Sequence, residues 1–130
     1  MFEELNLVRM ASTMARNASV RHRIVAENTA NADTPGYRAR DVKRFAEYVN
    51  NGFTPRATRV GHIADRGFER ASRAPEVFID PSVDAGPNGN SVSLETEMIK
   101  STETRGQHAL ALAIYRKAHE LMRLGLGRGR

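Results

Sequence analysis

The chain is predicted to be all-α, with long N- and C-terminal helices pairing as a coiled coil around a loop-rich, partly extended or flexible middle segment. Three observations carry this expectation. Apolar residues recur at alternating four- and three-residue steps in the N-terminal part of the 130-residue chain, and a second apolar seam lies towards its C-terminal end. Glycine and proline break residues 51–90 into short fragments. Hydrophobic residues reach only 40% and aromatics 6%, with no Trp. That composition suits an elongated helical protein that completes its burial against neighbours better than a compact core. One structural unit is expected, read as helix 1–34, turn and loops 35–90, and helix 91–130.

The N-terminal helix is predicted from residue 3 to about 32. Leu7, Ala11, Met14, Ala18, Val25 and Ala32 define its seam, with Arg21 and Asn28 in the intervening positions. This is a narrow a/d-type stripe of small or flexible side chains, and such a helix needs a partner. Its exit is Ala26-Glu27-Asn28-Thr29-Ala30-Asn31-Ala32-Asp33-Thr34-Pro35-Gly36-Tyr37. Pro35 disfavours helical geometry at Thr34, and Gly36 accepts the positive φ of the third position of a type II turn. Asp33 is expected to hydrogen-bond its own backbone two residues on. The crowding of Ala26, Asn28, Ala30 and Asn31 points to close backbone approach with amide hydrogen bonding.

Asp41 to about Asn50 is expected to be a short helix or an extended arm, with Phe45, Tyr48 and Val49 on its apolar side. Beyond Asn51-Gly52, brief strands are predicted at Ala57–Ile63 and Glu76–Ile79, pairing as a hairpin. The second long helix begins after Ser93, a good N-cap, with Glu95 and Glu97 complementing the dipole of its first turn. It is predicted to run to about Leu124, before Gly125-Leu126-Gly127-Arg128-Gly129-Arg130 ends it. Leu94, Met98, Thr102, Ala109, Leu112 and Ala113 lead its apolar positions, joined by Leu110, Ile114, Leu121 and Leu124. Gly106, which costs about 1 kcal/mol relative to Ala in mid-helix, marks a close contact or a bend.

The net charge of +5 and pI near 10.2 raise nucleic acid or an anionic membrane as partners. Charge is spread, however: residues 1–49, 50–90 and 91–130 carry +2, 0 and +3. A solvated mixed surface is the better reading. A small basic helical nucleic-acid-binding protein remains the alternative of a different class, and it would lose affinity steeply with salt. The absence of cysteine excludes disulfides, thiol nucleophiles and thiolate metal sites. The acidic start Met1-Phe2-Glu3-Glu4 lacks a secretory signal, and no apolar run approaches the roughly 18 residues of a membrane span. A cytosolic protein, or one leaving the cytosol without a cleaved signal, is expected.

No site for chemistry emerges. His108 and His119 share a helix face but lie roughly 16 Å apart, too far for one metal ion; His22 and His62 stand in unrelated contexts. Glu95 and Glu97 point to different faces, and Asp80 and Asp84 lie in a loop without a base or nucleophile nearby. No Walker A, dinucleotide, zinc-protease or EF-hand pattern is present. Catalytic residues, cofactor, metal and small-molecule substrate are all expected to be absent. The Asn17-Ala18-Ser19 sequon sits inside a helix, and the two terminal arginines are too few for an RNA-binding tail.

The exit stretch resembles the Asn-x-x-Asn-x-x-Thr-Pro-Gly-Tyr signature of the axial proteins of the bacterial flagellum: rod, hook and hook-associated proteins. The matching positions are Asn28, Asn31, Thr34, Pro35, Gly36 and Tyr37, with Ala26 and Ala30 beside them. The family often has paired asparagines where this chain has Glu27-Asn28. Arg38-Ala39-Arg40-Asp41, the length, and Val92-Ser93-Leu94-Glu95-Thr96-Glu97-Met98 are similar to one proximal-rod type. Its sibling proximal-rod type is the alternative within the family. The resemblance implies a non-enzymatic structural subunit of the proximal rod that transmits torque. Such a subunit leaves the cell through the flagellar type III export apparatus, without a cleaved signal peptide. It assembles in a hollow periplasmic rod of the basal body, with its terminal helices packed near the axis. Implied partners are other copies, other rod proteins, the base-adaptor protein FliE, the MS ring and the export apparatus; no nucleic acid is implied. Phe45-Ala-Glu-Tyr-Val49 further resembles a Phe-x-x-x-hydrophobic export-gate element, with Phe45 and Val49 as its defining residues and helix packing as the alternative reading.

Overall fold

The structure, a computed structural model, describes residues 2–50 and 75–127. Among the described residues five elements follow in order: α1 (Phe2–Ala30), β1 (Arg40–Val42), α2 (Phe45–Asn50), β2 (Val77–Ile79) and α3 (Leu94–Gly127). The two long helices pack antiparallel, bringing the exit of α1 beside the start of α3. They form the helical pair predicted at the two ends of the chain.

The α1 seam buries the face that its heptad spacing predicts. Ala11, Ala18, Arg21, Val25 and Asn28 are buried, joined by Asn17 and Ile24, while Met14 is half-buried. On α3 the inward side chains are Glu97, Lys100, Thr104, Ala111 and Ala118. The expected α3 seam of Leu94, Met98, Thr102, Ala109, Leu112 and Ala113 faces outward instead. Met98 is 72% and Ile99 65% exposed. The reason lies in the partner face. Buried Arg21 and Asn28 require anionic or amide partners opposite. The small α1 side chains also admit Thr and Ala at close range rather than Met or Leu. Polarity and volume, not hydrophobicity, chose the buried side of α3.

β1 and β2 form a two-stranded antiparallel sheet, pairing Arg40 with Ile79, Asp41 with Phe78 and Val42 with Val77. The strand expected within Glu76–Ile79 is thus present, but its partner is β1; Ala57–Ile63 lies outside the described residues. The segment 41–50 divides into the end of β1 and the short helix α2. Helix α3 extends through Gly125 to Gly127 rather than stopping at Leu124. Each glycine weakens propagation by about 1 kcal/mol without forbidding it. Among the described residues no helix is long and apolar enough to cross a membrane.

Candidate functional site

Among the described residues the exit of α1 is densely hydrogen-bonded, and Asn28 is its centre. This side chain is fully buried. Its Nδ2 donates to the Arg40 carbonyl at 2.7 Å and to Glu97 Oε2 at 3.2 Å. Its Oδ1 accepts from the Arg40 backbone N–H at 3.1 Å and from the Tyr37 hydroxyl at 3.3 Å. In the antiparallel ladder, Arg40 is paired so that its N–H and C=O point away from β2. The Asn28 amide meets both groups as a third strand would, sealing the far edge of β1 while tying it to α1 and α3. Every donor and acceptor of this amide is satisfied.

Asn31 acts locally: its Nδ2 donates to the Glu27 carbonyl at 2.8 Å, and its Oδ1 accepts from the Thr34 hydroxyl at 3.2 Å. The turn follows as the residues dictate, with Gly36 at φ +74° and the Tyr37 N–H donating to the Thr34 carbonyl at 3.3 Å. Asp33 makes no side-chain hydrogen bond among the described residues, so the Asn31–Thr34 bond braces the turn in place of the expected Asp33 contact. Asn90 caps the turn that follows α1, its Nδ2 lying 2.8–2.9 Å from the carbonyls of Asn31, Ala32 and Thr34. Asn90 Oδ1 accepts from the Val92 N–H, which aims the amide. Gly89, at φ +78°, stacks on the turn so closely that a Cβ there would lie 3.3 Å from the Gly36 Cα.

About two helical turns back along α1 lies a buried charge network. Arg21 forks onto Asp41, Nε to Oδ1 at 2.9 Å and Nη2 to Oδ2 at 3.2 Å, and its Nη1 reaches Glu103 at 3.2 Å. Lys100 Nζ bridges Asp80 at 2.6 Å, Asp41 at 3.3 Å and Glu97 at 3.5 Å. The network therefore joins α1, β1, the end of β2 and α3. Burial alone would raise the Asp80 carboxyl. The hydrogen bond from Lys100, with two from Ser82, overcomes this and holds it at about 2. Asp41 is likewise held below its ordinary value, because the bonds from Arg21 and the Val42 N–H outweigh its desolvation. Burial opposes the charges on Arg21 and Lys100, yet their carboxylates raise both above their ordinary values.

The structure thus separates the predicted motif residues. Asn28, Asn31, Gly36 and Tyr37 hold the chain's own exit together. Ala26, Ala30, Thr34 and Pro35 are exposed, so the close approach expected at Ala26 and Ala30 is not made within the chain. Phe45 and Val49 lie one turn apart on α2, Phe45 half-buried and Val49 exposed. At the departure from the paired-asparagine pattern, Glu27 receives Arg40 at 2.7 Å and Arg23 at 2.8 Å. Asp80 is not a free loop carboxylate, and Glu97 is a buried partner of Asn28 rather than a solvated dipole charge. Asn90, Lys100 and the inward face of Glu97 were missed by sequence reasoning. Arg21 and Asn28 in a seam were the available signal, because buried polar groups demand partners.

No family model matches the chain. It is 29% identical over 124 residues to the flagellar basal body rod protein FlgB of Agrobacterium fabrum, spanning 92% of each chain. It is 34% identical over 97 residues to FlgB of Cereibacter sphaeroides, covering 72% of this chain and 73% of the relative. These relatives decide between the two proximal-rod types that the resemblance left open, FlgB and its sibling FlgC. Shared identity across most of the length, together with the exit motif and paired terminal helices, shows that the chain belongs to the FlgB family of flagellar basal body rod proteins.

Proposed function

We propose that this chain is a non-enzymatic structural subunit of the proximal rod, assembling with copies of itself and with other rod proteins through its terminal helices and transmitting torque. The single observation that carries the reading is the outward face of α3. Met98, Ile99, Leu110, Leu121 and Leu124 stand exposed along a helix whose other face buries charges and alanines. A helix of 34 residues is about 51 Å long. Such a strip of exposed apolar side chains marks a protein contact. In this reading the exposed Ala26, Ala30, Thr34 and Pro35 are contacted by neighbouring subunits. The helices 1–34 and 91–130 form the assembling unit.

The same reading gives the subunit a place in the periplasmic part of the basal body, reached through the flagellar export apparatus without a cleaved signal. FliE and the MS ring are its neighbours at the base, and Phe45 with Val49 forms the export-gate element. Normal export of a Phe45→Ala, Val49→Ala double variant would dispose of that last point.

The test is a clean deletion of the gene, complemented in trans and scored for filaments by electron microscopy and for swimming. The wild-type gene restores both. An Ile99→Asp, Leu110→Asp variant, folded by circular dichroism, restores neither. Normal flagella in the deletion strain, with no second copy in the genome, would overturn the assignment.

A further inference from the structure

The seam between α1 and α3 does not by itself define how far one helix is slid along the other. Ala11, Ala18 and Val25 recur every seven residues on α1, as do Thr104, Ala111 and Ala118 on α3. Sliding one helix by seven residues, about 10 Å, sets small side chains on small side chains again. The buried polar side chains do not repeat. Arg21 and Asn28 each occur once on the α1 seam, and Glu97, Lys100 and Glu103 once on the facing side of α3. The Asn28–Glu97 and Arg21–Glu103 contacts fix the register in which Met14 faces Ala111. A seven-residue slide would bring Met14 opposite Ala118 and Asn28 opposite Thr104. It would also bury the Arg21 guanidinium against Ala111, away from Glu103.

We infer that the Arg21, Asn28, Glu97, Lys100 and Glu103 network is a register lock, selecting one of several helix alignments that the small-residue seam would otherwise accept. Breaking a buried ion pair by misalignment is strongly unfavourable, whereas its net stabilisation over an apolar contact is small. Such groups therefore discriminate between alignments more than they hold the helices together. Single polar residues in coiled-coil seams set register in the same way. Asn90 and Ser91 also tie the segment just before α3 to the α1 exit with neutral hydrogen bonds; they anchor one end of the pair, whereas the network acts within the seam itself. The inference concerns the folded chain alone and stands whether or not the rod reading does.

The chain has no cysteine, so engineered pairs report alignment cleanly. Met14→Cys with Ala111→Cys reads the observed register; Met14→Cys with Ala118→Cys reads the slid one. Each pair is oxidised in dilute full-length protein, and the intramolecular disulfide is quantified by mass spectrometry. With the network intact, the first pair closes at least tenfold faster. The network is then moved one heptad along α3 by exchanging residues 97 with 104, 100 with 107, and 103 with 110. That is Glu97→Thr, Thr104→Glu, Lys100→Gln, Gln107→Lys, Glu103→Leu and Leu110→Glu. The preference should reverse, so that the second pair now closes faster than the first, with helicity by circular dichroism retained. Retention of the original preference would overturn the lock. Loss of helicity would overturn it equally, by showing that the seam does not accept the slid alignment. A milder Arg21→Leu, Glu103→Leu pair should narrow the tenfold preference to within threefold; an unchanged ratio sinks the inference independently.

Discussion

At one end of the helix pair, Arg21 and Asn28 are buried among Asp41, Glu97, Lys100 and Glu103, braced by a two-stranded sheet and an asparagine cap. At the other end, Ala11, Ala111 and Ala118 are the buried side chains, while Leu5, Leu110, Leu112, Leu121 and Leu124 face solvent. The closed end satisfies its buried side-chain polar groups except for Asn17 Oδ1, which has no hydrogen-bond partner. The open end leaves several of its larger apolar side chains exposed, Leu110, Leu121 and Leu124 most of all. Stability and specificity of the monomer therefore reside in residues 17–41 and 80–104, and capacity for association in the remainder of the two helices.

The comparison breaks most severely at Arg21. Arg21→Ala strips buried Asp41 of its forked guanidinium and leaves it Lys100 alone, while half-buried Glu103 keeps Arg44; the expected cost is about 3–5 kcal/mol. Urea denaturation followed by circular dichroism measures it. A loss below about 1 kcal/mol, the range of an exposed pair, would show that solvent reaches the network. Asn28→Ala comes next. It strands the Arg40 N–H and carbonyl and removes a donor from Glu97, and about 2–3 kcal/mol should be lost in the same assay. The open seam around Ala11 and Ala118 has no comparable group to strand.

Acid should weaken chiefly the closed end, where the depressed carboxylates are buried. Asp80 is held at about 2, against an ordinary 3.8. A carboxyl depressed by folding contributes stability above its unfolded value, and that contribution fades as pH falls through the folded value. The shift corresponds to about 2 kcal/mol, lost between about pH 4 and 2. Lys100 is raised, so its contribution is complete below 10.5 and fades only as pH rises above that. Thermal melts from about pH 5 to 2 should show the acid loss, and Asp80→Asn should flatten it. A variant with the same acid slope as the parent would place the titration elsewhere.

The two ends were unequally legible in the sequence. Periodicity located both helices and the α1 seam, because Ala11, Ala18, Arg21, Val25 and Asn28 keep heptad spacing whatever their polarity. The turn was legible because Pro35 and Gly36 each restrict backbone geometry in one direction. On α3 the same logic chose the wrong face. Met98, Leu94 and Leu112 outweighed Glu97 and Lys100 by hydrophobicity, yet the buried Arg21 and Asn28 select carboxylates and small side chains. The Asn90 cap and the β1–β2 pairing depend on contacts between residues far apart in the chain, such as Asn90 with Asn31, and no local pattern carries them. Export and rod assembly stood on the exit motif, whose exposed members Ala26 and Ala30 are not packed within the monomer.

The smallest expected effect sharpens the contrast because its sign should differ between the isolated chain and the assembly. Gly106 lies in the middle of α3 on its outward side, and a Cβ built there would meet nothing within 4 Å. No contact within the chain requires a glycine at that position. Gly106→Ala should therefore stabilise the monomer by about 0.5–1 kcal/mol, through helix propensity and a less flexible unfolded chain. Denaturation of the purified protein reads this directly. Thr102, Ala109 and Ala113 are exposed on the same helix, so a neighbouring helix seated there would approach closely at Gly106. In the complemented deletion strain, the more stable variant should then support fewer filaments than wild type. A gain in stability with undiminished filaments would show that no neighbouring helix approaches closely at Gly106.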